Sequence, residues 1–277
     1  MSRRTRKKEP GEAGAGRDQK GRLFGSKLAA LTAVVAAALA VVAVYAVASG
    51  QLWGAGSAEP SGPPSAVIVD QLSLTQSNPQ FARTATQMLE KSGYTVDYFS
   101  GDEVTVDFYR SLASRGYDLL VMRTHSARLR QEWQGKTVDE VILFTNEPYS
   151  EIEHFEEQEE GRLSIARYTK DGDRLFGIAP GFIERSMPGT FDGAMVILMG
   201  CEGLGSEATA DAFVAKGADS IISWNGLVSA PHTDKATENL LRLLVEDEAS
   251  PAEAVASTMS DVGPDPTYGS ELRLLSE

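Results

Sequence analysis

The chain has 277 residues, a single cysteine and a formal net charge of −13. This length is enough for one sizeable domain plus an anchor, or for two small domains. The acidic balance argues against nucleic acid as a partner, because duplex binding needs a basic face. With only one cysteine an internal disulfide framework is excluded, so the thiol of Cys201 is either buried or chemically useful.

The first 64 residues are predicted to form a tail, a membrane span and a linker. Residues 1–27 contain nine Lys or Arg and three Asp or Glu, so this tail carries +6 and the remainder −19. Residues 28–48 are Ala, Val and Leu, interrupted only by Thr32 and Tyr45, a length that suits one transmembrane helix. Residues 49–64 are rich in Gly, Ser and Pro, which is typical of a flexible linker.

The charge around the predicted span indicates its orientation. The basic tail precedes the span, so the positive-inside rule places the N-terminus in the cytoplasm and residues 65–277 outside it. A cleaved signal peptide is the alternative, because residues 46–48 (Ala-Val-Ala) resemble a cleavage site. The apolar stretch is longer than a usual signal-peptide core, which favours an uncleaved anchor held in the lipid bilayer by residues 28–48.

Residues 65–277 show alternating strand and helix patterns. Helix starts are predicted at Asn78-Pro79, at Thr105 and at a capping box beginning with Ser250. The alternation predicts an α/β domain with a mostly parallel, doubly wound sheet flanked by helices, interrupted by one hairpin near the middle. The predicted strands are 66–69, 94–99, 117–124, 141–144, 163–169, 174–178, 195–199, 219–224 and an edge strand at 272–275, with helices at 206–216 and 233–245.

Two of the buried strands end in chemically reactive side chains. The run at 195–199 leads through Gly200 to Cys201, and the run ending at Thr124 leads to His125. Open α/β sheets place their chemistry at the carboxyl ends of such strands, and a thiol needs a base such as histidine for nucleophilic catalysis. The alternatives are a buried core cysteine and a hydrogen-bonded structural histidine. His232 is a second possible base, whereas His154, among six glutamates at 151–160, is expected to be exposed.

The motifs around these residues resemble the caspase-like cysteine peptidases, most closely the CHAT and separase branch. The likeness rests on Leu-Leu-Val-Met-Arg-Thr-His-Ser (119–126), on Val-Ile-Leu-Met-Gly-Cys-Glu-Gly (196–203) and on the Gly-Ala pair that precedes the strand ending at Trp224. It implies a three-layer sandwich fold and a catalytic dyad of Cys201 and His125. It also implies an oxyanion hole formed by the amides of Ser126 and Cys201.

Two positions depart from the family pattern. Ser126 replaces the glycine that follows the family's histidine, so the oxyanion role requires that serine adopt the same turn. Asn225 replaces an aspartate that follows the family's tryptophan, which removes the acidic pocket for a basic substrate side chain. The pocket candidates are therefore Trp224, Asn225, Asp234 and Glu147.

These observations predict a membrane-anchored cysteine endopeptidase that hydrolyses protein or peptide substrates outside the cytoplasm. The alternative is a catalytically inactive CHAT-like surface domain that binds a protein or a ligand. A nucleotide-binding Rossmann domain is not supported, because no glycine-rich loop follows the first strand. No cofactor or metal is expected, since Cys, His and Asp do not occur at ligand spacing.

Overall fold

The computed structural model describes residues 62–133 and 135–276. Among these residues, no helix combines the length and apolar character needed to cross a bilayer. The predicted tail and membrane span, and residues 49–61 of the predicted linker, lie outside the described residues. The described part is an α/β domain with a mixed, mostly parallel sheet and helices around it.

The main sheet of the described domain has six strands. They are β1 (Ser65–Asp70), β2 (Thr95–Ser100), β3 (Leu119–Arg123), β8 (Met195–Leu198), β9 (Ser220–Trp224) and β10 (Leu272–Ser276). Their spatial order is β10-β9-β8-β3-β1-β2, and all neighbours are parallel except the pair β9 and β10. The central strands are apolar on both faces, as a parallel sheet covered by helices requires. The predicted strands around this sheet and the edge strand at 272–275 are confirmed.

Helices cover both faces of this sheet. They are α1 (Pro79–Lys91), α2 (Val106–Leu112), α3 (Phe155–Glu159), α4 (Pro180–Ser186), α5 (Ala208–Ala215), α6 (Ala230–Leu241) and α7 (Pro251–Asp261). Helices α1, α6 and α7 share one buried apolar core with one sheet face, and α2, α4 and α5 share another core with the opposite face. These six helices thus bury their apolar sides against the sheet, which is the main source of stability for such elements, whereas α3 has no buried residue.

The predicted helix starts agree with the structure. The side chains of Asn78, Thr105 and Ser250 each accept a hydrogen bond from a backbone amide three residues later, which satisfies an otherwise unpaired donor. Helix α6 differs from its prediction, since it begins at Ala230 rather than Thr233 and passes into a π turn at Arg242–Glu246.

A second, antiparallel sheet corrects one prediction. It contains β4 (Ser126–Trp133), β5 (Lys136–Pro148), β6 (Leu163–Ala166) and β7 (Leu175–Ile178) in the order β4-β5-β7-β6. The run at 141–144 therefore does not belong to the parallel sheet, where we predicted it. It pairs instead with β4, whose polar sequence gave no strand signal, and with β7. The predicted hairpin is confirmed as β6 and β7.

Candidate functional site

His125 and Cys201 follow neighbouring strands and line the same cavity. Strand β3 pairs in parallel with β8, from Leu119 opposite Met195 to Met122 opposite Leu198. The residues after both strands therefore meet at one edge of the sheet, as predicted. There they border a cavity of about 300 Å³. Its lining residues are Leu72, Gln76, Thr124, His125, Met199, Gly200, Cys201, Val228, Ser229, Ala230, Pro231, Thr233 and Tyr268.

The thiol of Cys201 is a neutral hydrogen-bond donor in this arrangement. Its Sγ donates to the carbonyl oxygen of Val228 at 3.5 Å. Burial raises the pKa of the Cys201 thiol above its usual value, and the negative charges of Glu202 and Asp265 raise it further. The residue is therefore a thiol rather than a thiolate at neutral pH, and its nucleophilic use requires a base.

The imidazole of His125 is also neutral. Its Nε2 shares a hydrogen bond of 3.1 Å with Thr75 Oγ1, and its ring lies 4.8 Å from that of Tyr168 between centroids. Burial lowers the pKa of His125 to about 4, with a further contribution from the positive charge of Arg123. A neutral imidazole can accept a proton. Within the described residues, however, no hydrogen bond joins it to Cys201, so proton transfer requires the two side chains to leave their present partners.

The backbone amides of Ser126 and Cys201 are positioned as free donors. Ser126 pairs with Leu143 across strands β4 and β5. In the neighbouring residue pair, the amide of Phe144 donates a hydrogen bond to the carbonyl of His125. Because backbone groups of successive strand residues point to opposite sides, the Ser126 amide is directed away from β5. The Cys201 amide donates to no backbone carbonyl in the part of the chain that is described.

Gly200 allows the two strand ends to approach closely. A Cβ atom at this position would lie 2.2 Å from Ser126 Oγ and 2.5 Å from the carbonyl oxygen of Thr124. The Ser126 hydroxyl uses this proximity to donate to the Cys201 carbonyl at 2.6 Å. Serine at 126 therefore ties the loop after β8 to the start of β4.

A buried cluster of charged side chains is centred on Arg123, two residues before His125 in the sequence. Arg123 donates to Asp70 Oδ1 at 2.7 Å and to both carboxylate oxygens of Asp234, at 2.7 and 2.9 Å. All three residues are at most 4% exposed. Asn78 Nδ2 donates a further hydrogen bond of 2.8 Å to Asp234. Asp234, a predicted pocket residue, is thus the counter-ion of Arg123 and does not line the cavity.

The other pocket candidates also lie elsewhere. Trp224 is fully buried, with its indole nitrogen donating to Thr233 Oγ1 at 2.9 Å. The side-chain oxygen of Asn225 accepts from the amide of Glu271 at 2.9 Å. The carboxylate of Glu147 accepts from the amide of Val106 at 2.8 Å. None of these three side chains lines the cavity beside Cys201.

The remaining histidines have partners outside the cavity. His154 Nε2 lies 2.8 Å from Glu147 Oε1, and its side chain is only 18% exposed, so the expectation of an exposed residue is wrong. Its ring packs edge-on against Phe176, which explains the burial. His232 Nε2 lies 3.1 Å from the carbonyl oxygen of Gly263, and this histidine is not among the cavity residues.

Two residues that shape the site, Gln71 and Arg123, were not identified as site residues from the sequence. Gln71 accepts from the His125 amide through Oε1 at 2.9 Å and donates through Nε2 to Tyr168 and Asn146, both at 2.7 Å. Gln71 therefore fixes the backbone of the histidine. No local pattern marks this residue, whereas Arg123 carried a signal, namely a charge at the end of an apolar strand.

Comparisons with known proteins give no relative. No family description matches the chain, and no curated protein is significantly similar to it.

Among residues 62–133 and 135–276, no group of three or more His, Cys, Asp or Glu side chains is arranged to hold a metal ion.

Proposed function

We propose that the domain is a caspase-like cysteine endopeptidase in which Cys201 is the nucleophile and His125 the general base. The observation that carries the proposal is the convergence of these two side chains on one cavity, at the carboxyl ends of the adjacent strands β3 and β8. The resemblance of 119–126 and 196–203 to that family supports the same assignment. At neutral pH the imidazole of His125 is unprotonated, as a base must be, but a pKa of about 4 makes it a weak base, so its pKa must rise when substrate binds if it is to take the proton of Cys201.

The reaction begins when a peptide carbonyl enters the cavity beside Cys201. His125 turns from Thr75 and takes the thiol proton while Sγ attacks the carbonyl carbon. The amides of Ser126 and Cys201 donate to the oxygen that becomes negative, which is worth on the order of 3 kcal/mol per donor. His125 then gives the proton to the departing amine, leaving an acyl-enzyme that water hydrolyses with His125 again as base.

A specific observation favours the second candidate, a binding domain without catalysis. Both reactive groups are already satisfied by neutral partners, the thiol by the Val228 carbonyl and the imidazole by Thr75. In that case the cavity would bind a peptide or ligand without chemical change. The two candidates differ in whether product formation depends on Cys201.

Hydrolysis of a peptide library by the full chain separates the candidates. Wild-type protein is expected to cleave, and Cys201→Ala to reduce the rate to background. His125→Ala is expected to lower kcat by about 10²- to 10⁴-fold, the usual contribution of a general base. His232→Ala is the matched control and should retain activity, because its ring bonds to Gly263 outside the cavity. Equal product formation by wild type and Cys201→Ala would reject the peptidase and favour the binding domain.

The proposal includes membrane attachment through residues 28–48, with the α/β domain outside the cytoplasm. Its support is an apolar sequence without any charged residue and the basic tail that precedes it. A reporter that works only in the cytoplasm, fused after Glu277, is expected to be silent. An active reporter would overturn this orientation, and release of the domain with a new N-terminus near Ser49 would identify a cleaved signal peptide instead.

A further inference from the structure

We infer that the cavity beside Cys201 accepts an uncharged, apolar side chain of the peptide, at the residue whose carbonyl is attacked. This inference rests on the proposed function and names its substrate class. The cavity walls supply the first argument, since Leu72, Met199, Val228, Ala230 and Pro231 line it. These five residues gain free energy from burying an apolar side chain, and the other lining side chains, among them Gln76, Thr124, Ser229, Thr233 and Tyr268, are polar but uncharged.

Two carboxylates close to the cavity, those of Asp234 and Asp265, are already engaged by hydrogen bonds, and a third, that of Glu202, follows Cys201 but does not line the cavity. Both oxygens of Asp234 accept from Arg123, and one accepts from Asn78 as well. One oxygen of Asp265 accepts from the amide and hydroxyl of Ser229, and the other accepts from the amides of Thr267 and Tyr268. Neither carboxylate is left to pair with a lysine or arginine of the substrate.

The lining residues themselves carry no charge at neutral pH. None is Asp, Glu, Lys or Arg, and His125 is neutral because its pKa is about 4. A basic or acidic side chain in this cavity would therefore be a charge removed from water without a partner, which is strongly unfavourable. Specificity is therefore set by the wall around Val228 and Tyr268 and not by Asn225, where the sequence placed it.

The carboxylate of Asp265 holds the cavity wall around Val228 and Tyr268 in place. Its bonds join the loop at Ser229 to the loop at Thr267 and Tyr268, and these contacts lower the pKa of Asp265 to about 2 despite its burial. The carboxylate is ionised throughout the physiological range and keeps both loops in place. A cavity of about 300 Å³ with fixed walls has room for a single large side chain such as leucine, methionine or phenylalanine.

The first test is cleavage of matched peptides that differ only at this residue. With the full chain, kcat/KM for leucine or methionine is expected to exceed that for arginine, lysine, aspartate or glutamate by at least about 100-fold. Tyr268→Glu places a carboxylate at the cavity and is expected to raise kcat/KM for the arginine peptide by about 10-fold or more. Leu227→Glu is the matched control, because this residue is 48% exposed and does not line the cavity. Leu227→Glu should leave the ratio of kcat/KM for the arginine peptide to kcat/KM for the leucine peptide unchanged.

The second test is independent of catalysis. Binding of the leucine and lysine peptides to the full-length Cys201→Ala variant is measured by fluorescence anisotropy, with tighter binding of the leucine peptide expected. Cysteine-dependent cleavage that prefers charged residues would overturn the inference and leave the peptidase standing. Absence of cleavage together with tighter leucine binding would reject the peptidase and retain the apolar cavity. Equal binding of both peptides, or tighter binding of the lysine peptide, would overturn the inference.

Discussion

Replacing Arg123 by methionine is expected to destabilise the domain by about 3–5 kcal/mol at pH 7, the typical cost of breaking a buried ion pair. Arg123 is 1% exposed and lies between the carboxylates of Asp70 and Asp234. Methionine preserves much of the volume but leaves two buried negative charges facing each other. Each carboxylate is then a buried charge without its counter-ion, which is strongly unfavourable.

Denaturant unfolding of wild type and the Arg123→Met variant at pH 7 measures this loss of unfolding free energy. Arg130→Met is the matched control, because Arg130 pairs with Asp139 at the surface and its side chain is 64% exposed. Its effect should stay within about 1 kcal/mol. A loss for Arg123→Met no larger than that for Arg130→Met would contradict the assigned role of the cluster.

Gly200→Ala is expected to abolish the reactivity of Cys201 and to cost roughly 1–3 kcal/mol of stability or more, as overpacking does. The added methyl group would lie 2.5 Å from the backbone oxygen of Thr124, and real Cβ atoms do not approach so closely. The strand ends must therefore separate, which moves Cys201 away from Ser126 and His125. Thiol reactivity and unfolding free energy are the two readouts.

Two further variants test the steric explanation. Gly62→Ala makes the same chemical change where no atom lies within 4 Å of the new methyl group, and it should be neutral. Combining Gly200→Ala with Ser126→Ala removes the nearer obstacle, Ser126 Oγ, but leaves the carbonyl of Thr124 in place. The double variant should therefore remain unreactive. Full recovery would show that the hydroxyl, rather than the close backbone approach, makes glycine necessary.

The strands and helix starts near the site could be predicted because their signals are local. Strands β1, β3, β8 and β9 are short apolar runs buried on both faces, and the caps at Asn78, Thr105 and Ser250 mark helix starts in the sequence itself. These patterns placed His125 and Cys201 at strand ends. The expectation that the two strands are neighbours rested on the need of a thiol for a nearby base rather than on a local signal, and the pairing of β3 with β8 confirms it.

The features that were missed depend on residues far apart in sequence. Strand β4 is polar and lies at the edge of its sheet, so neither hydrophobic alternation nor an apolar run marks it. The run at 141–144 is equally compatible with a parallel and an antiparallel sheet, and only its pairing with β4 and β7 distinguishes them.

The electrostatics of the site were beyond sequence patterns for the same reason. Arg123 and Asp234 are 111 positions apart, yet their ion pair removes Asp234 from the substrate pocket. The same arginine contributes to the low pKa of His125. A sequence pattern can place a histidine and a cysteine at strand ends. The charge state of those residues depends on neighbours that only the fold brings together.

The most direct test of the central claim is the pH dependence of covalent labelling at Cys201. The full chain is treated with a peptidyl acyloxymethyl ketone bearing leucine next to the ketone, and the mass of the Cys201 peptide is followed. For wild type, the labelling rate is expected to rise as the pH passes about 4, where His125 loses its proton, and then to stay level to about pH 8. His125→Ala should lower this plateau by about 10²-fold or more. A rate that is unchanged in His125→Ala and rises tenfold per pH unit through neutrality would indicate an isolated thiol and contradict the dyad.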